Sequence, residues 1–149
     1  MARKTIVTTV GADTYELTQI GAVEAYDLYN ELVAALGPKI IERIGALQEL
    51  ARKKELSEAD TGMLILELKA AVPRQLMRDM REAFARGTRV KTGSVLLQLS
   101  EGDIFDQHFA GRMTAIDQWM IACMKHNFMG FLGERANSGE RPQDETPSE

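Results

Sequence analysis

The chain has 149 residues, 44% hydrophobic and 27% charged, with Lys+Arg 18 against Asp+Glu 22 for a net charge of -4. This is globular composition, which excludes a wholly disordered chain, and its acidic excess disfavours non-specific nucleic-acid binding, which needs basic surplus for phosphate. One cysteine, Cys123, excludes an internal disulfide and with it a stapled secreted scaffold.

In chain order, Thr5 to Val10 is rich in β-branched residues, Gly11-Ala12-Asp13 is turn-like, and Tyr15 and Leu17 alternate with Glu16 and Thr18. That predicts a short β-hairpin that must pack on helices later in the chain, because a lone hairpin is marginal in water. A helix is predicted from Ala22 to Leu36, stopped by Gly37; Pro38 opens a second, reaching about Lys54. Ser57 with Asp60 starts a third helix, to Val72, whose run Met63-Leu64-Ile65-Leu66 is apolar on more than one side and makes it the expected central helix. Pro73 opens a fourth, ending at Gly87. Arg89 to Leu99 reads as a second hairpin about Gly93-Ser94, or as a loop. Ser100 and Asp103 mark the start of one long helix to about Leu132. From Glu134 the chain carries five acidic groups, two arginines and a single hydrophobic residue, the signature of a disordered, solvating tail. The expected fold is mainly α with a small β component: about five helices and one or two short β-hairpins in one domain over residues 1–133, then a disordered acidic tail over 134–149.

Candidate chemistry is sparse. Cys123 and His126 share a helical face, but two ligands do not make a structural zinc site, so no metal and no cofactor is expected. There is no nucleophile motif, and Glu101, Asp103 and Asp106 read as carboxylates favoured by a helix N-terminus. The segment Arg74 to Lys91 has a net charge of +4, from six cations and two acids, and suits a solvated face or an acidic protein partner better than nucleic acid. No apolar run approaches the roughly 18–20 residues of a membrane helix, and the start is not a secretory signal, so a reducing cytoplasm is expected. The last helix carries a broad apolar arc. Phe105, Phe109 and Ile116 read as core; Trp119, Met120, Met124, Phe128, Met129 and Phe131 are candidate partner contacts, with core the alternative. Methionine's flexible thioether suits surfaces that accept a partner helix.

Two segments carry a resemblance. Tyr15 to Pro38, YELTQIGAVEAYDLYNELVAALGP, resembles the opening of tail assembly chaperones of long-tailed (siphovirus-like) bacteriophages or prophages. Phe105 to Leu132 resembles that family's closing helix, through Phe105, His108, Phe109, Gly111, Arg112, Asn127, Phe128 and Phe131. The resemblance implies a non-enzymatic protein of the host cytoplasm that binds the tape-measure protein, keeps it soluble, helps recruit tail-tube protein and is absent from the mature virion. Self-association is compatible with it. The family often makes a longer form by ribosomal frameshifting, and the polar segment from Gly133 suits a linker to one. The alternative is a structural component of the phage particle, a tail or connector subunit.

Overall fold

A computed structural model of the chain describes residues 3–129. The acidic tail expected over 134–149, and Phe131 with it, lie outside the described residues. The architecture is mainly α with one small sheet. The order is β1 (Thr5–Val10), β2 (Asp13–Thr18), α1 (Ala22–Arg52), α2 (Glu58–Ala71), α3 (Arg74–Arg86), β3 (Thr88–Thr92), β4 (Val95–Gln98), α4 (Ile104–Phe109) and α5 (Met113–Met124), closed by a π-helical turn at Lys125–Met129.

Both expected hairpins form, and they join edge to edge into a four-stranded antiparallel sheet of order β1-β2-β3-β4. The joint pairs Tyr15 with Val90 and Leu17 with Thr88. Period-2 alternation then puts Tyr15, Leu17, Thr88 and Val90, all buried, on the face that meets the helices. The opposite face is polar apart from the exposed Val7 and Leu96, with Thr5 and Thr18 hydroxyls 2.9 Å apart and Arg89 3.3 Å from Glu16.

The helix boundaries follow local chemistry. The backbone leaves helical geometry at Gly37 (φ 79, ψ 169), so the two expected helices are the halves of α1, bent where only glycine is unstrained. At α2 the Ser57 hydroxyl accepts from the Asp60 N–H (3.1 Å) and the Asp60 carboxylate accepts from the Ser57 N–H (3.2 Å), a complete capping box. α2 is not the central helix, however: Leu68 alone is fully buried in it. The long last helix is also not continuous. It breaks between α4 and α5 at Gly111 (φ 72), where the Arg112 guanidinium donates to Asp13 Oδ2 (2.9 Å) and to the His108 carbonyl (2.8 Å). That tertiary anchor turns the chain back toward the first hairpin.

The core lies between the inner sheet face and α1, α3 and α5. Trp119 is fully buried; its indole N–H donates to Thr88 Oγ (3.2 Å), and Thr88 donates to the Phe84 carbonyl (2.8 Å). Phe128 packs against Tyr29 and Phe84, with ring centroids 6.2 and 5.7 Å away. Asn127 ties the π turn to the start of α1, accepting from the Ile20 N–H (3.0 Å) and donating to the Cys123 carbonyl (2.9 Å).

Two glycines give opposite expectations. A Cβ at Gly87 would lie 2.4 Å from the Thr18 carbonyl oxygen, at the point where the Gly87 carbonyl accepts the Thr18 N–H (2.7 Å). Gly87→Ala is therefore expected to cost about 1–3 kcal/mol through forced backbone displacement. Gly62 lies inside α2 with nothing within 4 Å of its would-be Cβ, and Gly62→Ala is expected to add roughly 0.4–1 kcal/mol by restricting the unfolded chain. Urea unfolding followed by Trp119 fluorescence measures both.

Candidate docking cleft

Helices α2, α3 and α5 enclose an apolar cleft of about 210 Å³. Each helix presents the edge of its apolar stripe there: Leu68 from α2 with Val72 capping its end, Met77 and Met80 from α3, Met120 and Met124 from α5. Met80 and Met120 form a buried floor, while Met77 and Met124 are half-buried at its sides. A smaller void of about 30 Å³ adjoins it and shares Leu68, Ile121 and Met124. Unfilled volume beneath flexible thioethers lets the floor reshape around an incoming side chain. The Lys69 ammonium, 2.9 Å from the Asp117 carboxylate, ties α2 to α5, and Arg81 lines the α3 side.

The six candidate contact residues divide sharply. Trp119 and Phe128 are 0% exposed and Met120 7%, so these three serve the protein's own core rather than a free face. They are buried because the hairpin sheet and α1 cover the part of the arc that a free helix would expose. Met120 still reaches the cleft floor and Met124 its wall. The Met129 side chain and Phe131 lie outside the described residues.

A second apolar surface was visible in the sequence only as a lack of sidedness in the third helix. On the outer side of α2, Ala59, Met63, Leu66 and Ala70 recur at spacings of four, three and four residues, which places them on one helical face. All four are exposed, Met63 by 55% and Leu66 by 64%.

The polar clusters read as structural. Tyr15 is buried and its hydroxyl lies 2.9 Å from His108 Nε2; Asp13 and Arg112 complete the group, with the Phe109 ring edge-on to the imidazole. Desolvation lowers the His108 pKa; the Asp13 carboxylate opposes this and the Arg112 guanidinium adds to it. Burial also raises the Tyr15 phenol, reinforced by Asp13. The residues of the family-like closing motif thus hold α4 to β2. An unfolded histidine titrates near pH 6.5, so the folded state favours the neutral ring. This contribution to stability is fully present above that pH and is lost as pH falls through the lowered folded value. His108→Gln is expected to flatten the fall of melting temperature as pH drops below about 6.5, read by thermal scans over a series of decreasing pH.

Cys123 and His126 do not converge. Burial pushes the Cys123 thiol up to about 12, with Thr88 Oγ 3.9 Å away, while His126 Nε2 lies 3.0 Å from the Lys4 carbonyl oxygen. Among the described residues no group of three or more His, Cys, Asp or Glu side chains is placed to hold a metal ion. None of the described helices is long and apolar enough to cross a membrane. The basic segment divides: Arg86 pairs with Glu24 and Arg89 with Glu16, leaving Arg74, Arg78, Arg81 and Lys91 without an ion pair among the described residues.

Comparison of the chain with protein-family models, curated proteins and solved structures finds no match.

Proposed function

We propose that this protein is a tail assembly chaperone of a long-tailed (siphovirus-like) phage or prophage. In the host cytoplasm it binds the tape-measure protein, keeps it soluble and helps bring tail-tube subunits to it, and it leaves before the virion is complete. The observation that carries this reading is the methionine-lined cleft between α2, α3 and α5. A long helical client exposes an apolar stripe that aggregates in water, and a reshapable apolar cleft on a small acidic protein covers one section of it. Many copies would cover the whole client. The sequence likeness of Tyr15 to Pro38 and of Phe105 to Leu132 supports the same reading. No catalytic step is assigned.

The test is co-production of the tagged protein with the phage tail proteins, followed by capture and mass spectrometry, alongside analysis of purified virions. Recovery of the tape-measure protein with this chain, and its absence from virions, is expected. Stoichiometric retention in virions would overturn the reading in favour of a tail or connector subunit.

A further inference from the structure

We infer that the α2–α3–α5 cleft takes an amphipathic helix with an acidic edge, which lies against a row of unpaired arginines on α3. The inference rests on the chaperone reading and specifies the partner chemistry of the same cleft.

The row is a consequence of spacing. Arg74, Arg78 and Arg81 recur at i, i+4 and i+7, so at 1.5 Å per residue their guanidinium groups share one face over about 10 Å of helix. Met77 and Met80, which line the cleft, sit on the adjoining arc. Asp79, Glu82 and Arg86 fall on the far side of the row, where Asp79 accepts from Gln75 (2.9 Å) and Arg86 pairs with Glu24. The acids of α3 are therefore segregated from the cleft edge. Among the described residues none of the three arginines in the row has an ion-pair partner, whereas Lys69 across the cleft is neutralised by Asp117.

Three cations with no ion pair among the described residues, Arg81 lining the cleft and Arg74 and Arg78 continuing along the same helix face, select a ligand of two-part chemistry. An apolar stripe fills the cleft, and carboxylates one helical turn apart meet the arginine row. A purely apolar helix would leave the row unsatisfied, and a basic-edged helix would be repelled. Arginine suits this role because its planar fork binds carboxylates in pairs. Electrostatic selection of this kind fixes orientation and register along a client.

The experiment uses two fluorescein-labelled synthetic helices of about 18 residues, identical in their leucine and methionine stripe, one edged with glutamate and one with lysine. Binding to the full-length protein is read by fluorescence polarisation. The glutamate-edged peptide is expected to bind at least about tenfold more tightly at low salt, with the gap narrowing as the Debye length shrinks toward about 3 Å at 1 M salt. The triple variant Arg74→Glu, Arg78→Glu, Arg81→Glu is expected to reverse the preference. The milder Arg78→Gln variant, which keeps helix propensity, reduces it should the triple variant misfold. Equal binding of both peptides, or of neither, overturns the inference. Glutamate-peptide binding seen only after Glu140, Asp144 and Glu145 are changed to lysine would assign the row to the chain's own acidic segment and overturn it. So would an arginine-dependent dimer in sedimentation, which would make a second copy the occupant. Failure to capture the tape-measure protein while the glutamate peptide still binds would remove the chaperone reading and leave the cleft's chemistry standing.

Discussion

Phe128→Ala is expected to lower stability by about 3–5 kcal/mol, the range for truncating a buried aromatic. Phe128 is 0% exposed and closes the core against Tyr29 on α1 and Phe84 on α3. Alanine would leave a cavity that rigid helices on two sides cannot collapse. In a protein of this length the loss corresponds to roughly 10–15 °C in melting temperature. Native stabilities are about 5–15 kcal/mol, so the variant would lose a large share of the total. The only tryptophan, Trp119, is fully buried and gives the readout: denaturant unfolding followed by its fluorescence. A drop below about 1 kcal/mol, typical of a surface substitution, would mean that the π turn does not seal the core.

Under the proposed chaperone reading, Met77→Asp is expected to weaken client binding by at least tenfold, equivalent to about 1.4 kcal/mol, while folding is retained. Met77 is half-buried on the cleft wall, so in the free protein a carboxylate there can turn toward water. With a partner helix seated, the charge would be desolvated beside apolar groups, and the cost falls on the complex. The matched control is Met63→Asp on the outer stripe of α2, where Met63 is exposed. Client capture with the two variants decides between the surfaces. Loss with Met63→Asp and not with Met77→Asp would move the docking face to the outer side of α2.

The parts of this fold that were readable in the sequence are those fixed by neighbours along the chain. The turns at Gly11 and Gly93, the break at Gly37 and the Ser57–Asp60 box each depend on a few adjacent residues. What escaped reading depends on distant partners. The break at Gly111 exists because Arg112 finds Asp13, 99 positions away. The joining of the hairpins requires Leu17 to meet Thr88, and nothing local announces it. Three of the candidate contacts are buried for a related reason. Helical periodicity identifies the apolar arc holding Trp119, Met120 and Phe128, but not which part of it the sheet and α1 cover. The low sidedness of α2 was legible and its meaning was not: two apolar faces suit a buried helix and a helix with one face open equally well.

The pairing of β2 with β3 also orders events during synthesis. The first hairpin leaves the ribosome complete, but its neighbour strand emerges only after roughly 70 more residues, about 4–14 s at ordinary elongation rates. Over that interval the hairpin is marginal by itself, and the backbone groups on one edge of β2 have no strand to bond. α1, α2 and α3 are all made before β2 can pair with β3, and α4 and α5 follow the last strand. Closing so long a loop carries an entropic cost that helices already packed together reduce. The first hairpin thus precedes α1, α2 and α3 in the chain, yet its pairing with β3 waits until all three have been made.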